Sequence, residues 1–318
     1  MAQSLFMKLR QRFPDLLIDV LAPGWSAPLL ARMPEVNEAI EMPLGHGALQ
    51  LGARFRLGRS LRSKTYDWAI VLPNSWKSAL VPFWAHIPRR TGYIGEQRYG
   101  LLNDRRKLDK KLLARTVQRF VALGQECDEY VPPECPNPIL SVAAEQARRT
   151  AGKYSLDTDR PIVALAPGAE YGPAKRWPAE YIAEVAVALE KRGMKIIVLG
   201  SERDQEPAAV IAGQSGAVDL TGKTLLGEVV DLLSLAAITI TNDSGLMHVA
   251  AAAGSAVVAI YGSSDPGFTP PMTDRAKILY LGLECSPCFS RECPLGHTAC
   301  LVELRPERVI SALEELMP

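Results

Sequence analysis

Short runs of Ile, Val, Leu and Ala recur through the second half of the chain, at residues 162–166, 195–199, 218–221, 238–241, 257–261 and 277–281. Helical patterns separate them, notably over 179–191, 229–236 and 246–253. Apolar strands joined by helical crossovers form a parallel sheet covered on both faces, so the class is α/β. A ligand of such a sheet binds beyond the carboxyl ends of its strands, and the loops there are the places to search.

The first half is less regular. Leu5, Phe6, Leu9 and Phe13 fall on one helical stripe, and Pro14 ends it. Strands are expected at 16–21 and 67–73 and helices at 75–85 and 114–126. With 318 residues the chain has room for two domains, each with its own core. The expected division is 1–155, 156–303 and a final helical segment 304–318. "DTD" at Asp157–Asp159 precedes a strand instead of ending one, so it is discounted as a metal-chelating pair.

Charge and hydropathy narrow the function. A net charge of +1 argues against a general nucleic-acid binder. Charges interrupt every apolar run near the start, so no secretory signal is expected, and no run is long enough to span a bilayer. The expected location is cytoplasmic. Basic residues crowd two stretches, Arg54 to Lys64 and Arg89 to Lys111, as a solvated face or a docking surface for something anionic.

Two phosphate motifs are absent. No Gly-x-Gly-x-x-Gly follows a strand, which removes the dinucleotide fingerprint of dehydrogenases, and "GAVDLTGKT" misses P-loop spacing by one residue. The informative loop is "TNDSGLMHVAAAAG". Asn242 or Asp243 can cap the helix that follows, leaving the amides of Ser244, Gly245 and Leu246 at a partly positive terminus suited to phosphate. His248 lies one turn along from Ser244. "PGAEYGPAKRWP" brings Gly168, Lys175 and Arg176 to the same sheet edge, and "LGSERDQE" brings Asp204. Amides and a lysine for a diphosphate, with a carboxylate for ribose, describe a nucleoside-diphosphate site.

These two loops, with "YGSSDPGFTPP", "LPNSWKSALVPFWA" and "RTGYIGEQRYGLLND", resemble the ADP-heptose:lipopolysaccharide heptosyltransferases over nearly the whole chain. The resemblance implies the GT-B architecture, two Rossmann-like domains facing across a cleft, with the last helix packing back on the first domain. It implies transfer of L-glycero-D-manno-heptose from ADP-heptose to the first heptose of the lipopolysaccharide inner core, with inversion and without a cofactor. Carried over residue by residue, Lys175 holds the leaving diphosphate in place of a metal, and Asp243 through Leu246 with His248 bind phosphates and heptose. Asp204 takes the ribose, and Lys223 and Thr224 lie beside the adenine. Asn74, Ser75, Lys77, Arg89 and Arg90 face the acceptor, a heptosyl-Kdo2-lipid A at the cytoplasmic surface of the inner membrane. A monomer is expected. The alternative is a non-catalytic binder of the same nucleotide sugar.

Two expectations remain. Cys285, Cys288, Cys293 and Cys300 form a Cys-x2-Cys-x4-Cys-x6-Cys cluster open to a structural zinc, free thiols or disulfides. It is expected to lie away from the donor motifs and to serve stability. The family also begins with a strand, a turn and a catalytic aspartate that this sequence does not show before Met1, so reduced or absent transfer is expected of the chain as written.

Overall fold

The computed structural model describes residues 1–45, 47–126 and 131–317, and they divide into two compact units, 1–31 with 35–136 and 32–34 with 137–318. In the first unit the amphipathic stripe at the start becomes α1 (Ala2–Arg12), burying Leu5, Phe6 and Leu9. It is followed by β1 (Ile18–Pro23), α2 (Ala27–Leu30), β2 (Val36–Met42), α3 (Leu51–Ser60), β3 (Trp68–Val71) and α4 (Leu80–Trp84). Next come β4 (Arg89–Tyr93), β5 (Asp104–Arg106) and α5 (Thr116–Ala122), and α1 packs on α5. Gly124 lets them meet, since a β-carbon there would come within 2.7 Å of Leu5. Among the described residues β1 and β2 pair in one parallel sheet and β3, β4 and β5 in another.

The strands β2, β4 and β5 did not register in the hydropathy pattern because polar groups build them. The Trp68 indole N–H donates to Thr91 Oγ1 at 2.7 Å, and the Thr91 hydroxyl donates to Asp104 Oδ2 at 2.8 Å. One hydrogen-bonded line therefore ties β3, β4 and β5 together.

The second unit begins with α6 (Ala144–Lys153) and continues through β6 (Ile162–Ala166), α7 (Ala179–Glu190), β7 (Lys195–Val198) and α8 (Gln205–Gln214). Then follow β8 (Val218–Asp219), α9 (Leu226–Leu235), β9 (Ala236–Asn242), α10 (Gly245–Ala253) and β10 (Ala256–Tyr261). The chain closes with β11 (Ala276–Tyr280), α11 (Ala299–Val302) and α12 (Pro306–Leu316). The six strands form one parallel sheet in the order β11-β10-β9-β6-β7-β8. The order reverses between β6 and β9, which is the switch point where such sheets hold ligands.

Alternation along β10 shows why these runs become strands. Val258 and Ile260 pack on one face with Ile182, Leu189 and Leu313, while Val257, Ala259 and Tyr261 pack on the other with Leu232, Met247 and Ala250. Every β10 residue is at most 1 % exposed. Period-two side chains buried on both sides read as a continuous apolar run.

The unit boundary falls before α6, not at 155, because α6 packs on α9. There Asp231, 1 % exposed, accepts from Thr150 Oγ1 at 2.9 Å and from Arg32 at 2.6 Å. The apolar face of the last helix, Val309, Ala312 and Leu313, is buried against α7, β10 and β11 of the second unit.

Candidate active site

The carboxyl ends of β6 and β9 meet at the switch point, and Asn242 joins their loops. Its Nδ2 donates to the Pro167 carbonyl at 2.7 Å, and its Oδ1 accepts from the Trp177 backbone N–H at 3.0 Å. Both ends of the 167–177 segment are thereby tied to β9. Trp177 anchors the segment further, donating its indole N–H to Leu304 O at 2.8 Å from a site 2 % exposed.

Within that segment Lys175 Nζ forms an ion pair with Asp243 Oδ2. Both side chains are largely withdrawn from water, at 16 % and 7 % exposure, so the pair is weakly screened. The ammonium also lies 5.0 Å from the centre of the Tyr171 ring. Asp243 is fixed in turn, its N–H donating to Ile260 O at 3.1 Å. Lys175 and Asp243, singled out from separate loops, are thus brought together.

The start of α10 corrects one expectation. Neither Asn242 nor Asp243 caps it, because both are engaged as described. Ser244 is the N-cap and makes no side-chain capping bond. A nine-residue helix therefore presents its first amides without a side chain on them, beside Lys175 and Asp243. No protein atom lies within 4 Å of where a β-carbon on Gly245 would stand, so the helix mouth is open at that residue. The helix ends on Gly254 in the left-handed region, φ +94°.

His248 is half-buried and its Nδ1 is buried without a partner. Burial lowers its pKa to about 4, so near neutral pH it offers a neutral ring to a ligand. The linked stability has a definite sign. With the folded pKa below the unfolded value of about 6.5, the unfolded chain binds more protons between them. Stability from this group is complete above about pH 6.5 and falls, by up to about 3 kcal/mol, as pH drops through 4. Wild-type protein is expected to lose more in unfolding midpoint between pH 7.5 and 5 than His248→Gln; equal losses would remove this account of His248.

The residues expected at the nucleoside follow β6, β7 and β8. A β-carbon on Gly168 would collide with the Asp204 carboxylate, so glycine is required for that approach. Asp204, 8 % exposed, uses Oδ2 to accept from the N–H and Oγ of Ser201, both at 2.9 Å. It is first of all a brace of its own turn, and Oδ1 is left toward Gly168. Lys223 donates to Asp219 O at 2.7 Å, while Thr224 Oγ1 is buried without a partner.

The cysteine-rich segment does not lie away from the donor motifs. Arg291 O accepts from Ala174 N–H at 3.0 Å, Phe289 O accepts from Tyr171 Oη at 2.6 Å, and Phe289 N–H donates to Ser263 O at 2.7 Å. The segment brackets the loop that carries Lys175. Its cysteines, Cys285, Cys288, Cys293 and Cys300, are free thiols, as is Cys135. Among the described residues no group of three or more His, Cys, Asp or Glu side chains is placed to hold a metal. Cys127 lies outside the described residues.

In the first unit Asn74 and Ser75 precede a short 3-10 turn, Trp76–Ala79, instead of opening a long helix. Lys77 Nζ donates to Gly47 O at 2.8 Å, and Asn74 Oδ1 accepts from Arg98 at 3.4 Å. Arg89 pairs with Asp104 at 3.1 Å and stacks over Trp68, and Arg90 donates to Leu101 O at 2.7 Å. Two members of the basic stretches are interior: Arg54 and Arg98 are 5 % and 2 % exposed and donate to backbone carbonyls. They are ties of the fold, so the basic face is smaller than the sequence suggests.

The sequence reading passed over Asn242 as a bracket and over Ser263 and Ser264, which are 1 % and 4 % exposed with hydroxyls that have no partner. The signal for the serines was a polar pair one glycine beyond a fully apolar strand.

The profile of glycosyltransferase family 9 (heptosyltransferase) matches residues 54–299. The chain is similar to lipopolysaccharide heptosyltransferase 2 of Escherichia coli strain K12, with 45% identity over 328 residues, 100% of this chain and 94% of that protein. It is 44% identical to lipooligosaccharide heptosyltransferase 2 of Haemophilus influenzae, over 100% of this chain and 95% of that protein. A solved structure of E. coli ADP-heptose lps heptosyltransferase II superposes with a TM-score of 0.89 and 42% identity, covering 99% of this chain and 93% of that one.

Proposed function

The chain belongs to glycosyltransferase family 9, the heptosyltransferases, with the GT-B fold, and on that footing we propose that it transfers L-glycero-D-manno-heptose from ADP-heptose to the first heptose of the lipopolysaccharide inner core, with inversion and without a divalent metal. The observation that carries this reading is the buried Lys175–Asp243 pair beside the amides that open α10. As the bond from heptose to phosphate breaks, negative charge grows on the departing diphosphate. A fixed ammonium and fixed N–H dipoles stabilise that charge most in the transition state, where a metal would otherwise serve. Asp243 keeps the ammonium aimed. Ser244, Gly245 and Leu246 meet the phosphates, His248 contacts the donor as a neutral ring, and Asp204 Oδ1 accepts from the ribose. Lys223 and Thr224 border the adenine.

In this reading Asn74, Ser75, Lys77, Arg89 and Arg90 serve the acceptor, a heptosyl-Kdo2-lipid A, at the cytoplasmic surface of the inner membrane, and the enzyme works as a monomer. No helix of the described residues is long and apolar enough to cross a membrane. Calorimetric titration with ADP-heptose and with NAD tests the donor assignment. Saturable binding of ADP-heptose and none of NAD is expected, and preference for NAD would overturn it.

A further inference from the structure

We propose that the exposed face of α3, in the first unit, is a docking surface for an anionic lipid bilayer. The inference rests on the reading above only in taking the acceptor to be a membrane lipid, and it names the part of the unit that meets the membrane. Charge is unevenly placed along the chain. Residues 51–115 hold fifteen Lys and Arg against four Asp and Glu, although the whole chain has a net charge of +1. Arg54 and Arg98 are spent inside the fold, and Arg89 and Arg106 pair with Asp104. Arg56 and Arg59 are not spent. Both are exposed, and among the described residues neither has an ion-pair or hydrogen-bond partner.

The same helix exposes apolar side chains beside those arginines. Leu51 and Phe55, one turn apart, share a stripe, and Arg59 and then Arg56 follow around the exposed side. Leu51 and Phe55 are 47 % and 41 % exposed, and Leu49, just before the helix, is 42 % exposed. Single apolar side chains at a surface are ordinary; three within seven residues are not. They adjoin a fourth. The Phe55 ring meets Trp84 of α4 edge-on at 5.6 Å, and Phe83, the residue before it, is 39 % exposed.

The patch is firmly built. A β-carbon on Gly58 would come within 2.7 Å of Trp84 Cβ, so α3 and α4 lie in close contact. The Arg54 guanidinium donates to Leu49 O at 2.7 Å and Ala48 O at 2.9 Å, fixing the segment that enters α3. Beyond the helix Arg62 donates to Trp84 O at 2.8 Å. An apolar edge flanked by free arginines suits the boundary of an anionic bilayer, where guanidinium groups meet phosphate and apolar side chains enter between headgroups. A nucleic acid offers the charge but no apolar layer for Leu49, Leu51 and Phe55.

The test is co-sedimentation with vesicles of phosphatidylcholine alone and of phosphatidylcholine with phosphatidylglycerol, alongside thermal unfolding and calorimetric binding of ADP-heptose. Wild type is expected to bind the anionic vesicles at least about tenfold more tightly than the neutral ones, and less tightly as salt is raised. Arg56→Glu/Arg59→Glu is expected to lose at least about tenfold, and Leu51→Gln/Phe55→Gln about fivefold with its salt dependence kept. Because Phe55 packs on Trp84, Leu51→Gln alone is included. It and the charge variant are expected to keep wild-type Tm and ADP-heptose affinity. Wild type that ignores anionic vesicles, or variants that bind them as wild type does, overturns the surface. Binding only to vesicles that carry heptosyl-Kdo2-lipid A also overturns it and moves these residues to acceptor recognition. Equal affinity for a DNA duplex overturns it in favour of a general polyanion site, and loss of Tm together with vesicle binding in every variant makes the face structural. Wild type that binds anionic vesicles but not ADP-heptose supports the surface and fails the donor reading instead.

Discussion

Lys175→Ala is expected to lower kcat about a hundredfold, the scale for loss of one preorganised group that stabilises developing charge. The effect belongs in kcat because the diphosphate carries its extra charge only as the glycosidic bond breaks. A change confined to KM would show that the lysine binds ground and transition states alike. The substitution also leaves Asp243, 7 % exposed, without its cation, and an unpaired buried charge destabilises the fold. The double variant Lys175→Ala/Asp243→Asn separates the two effects. It is expected to recover Tm toward wild type while kcat stays low. Recovery of both would make the pair structural.

Asn242→Ala is the second large effect. The side chain is 1 % exposed and serves Pro167 O and Trp177 N–H at once. Alanine leaves a carbonyl and an amide buried without partners, for a loss of about 3 kcal/mol in denaturant unfolding. The 167–177 loop, which carries Lys175, is then tied at neither end to β9. A drop in kcat/KM of at least about tenfold is expected from misplacement alone. Stability and activity both near wild type would show that the bracket does not position the lysine.

The second unit was legible because its sheet is covered on both faces, so strands such as β10 appear as plain apolar runs between helical patterns. The first unit was not. The Trp68–Thr91–Asp104 line makes strands of segments such as "RRTGY" that have no apolar rhythm. Within the site, Lys175 and Asp243 could be picked out because charge and glycine stand out in a loop. Their ion pair, closing over many residues of intervening chain, could not. Asn242 was mistaken for a helix cap because Asn before a helix usually is one; here a tertiary bracket claims the side chain. Composition also says nothing of which arginines are buried, as Arg54 and Arg98 show. The nearness of the cysteine-rich segment to Lys175 depends on backbone carbonyls, of Phe289 and Arg291, that any sequence would supply.

The central claim is that a lysine and a helix terminus do the work of a metal on the departing diphosphate. It is tested most directly by following heptose transfer from ADP-heptose to a heptosyl-Kdo2-lipid A acceptor by mass spectrometry, with excess EDTA and with magnesium. The account predicts a product one heptose heavier, formed at the same rate in both. Transfer abolished by EDTA and restored by magnesium would contradict it.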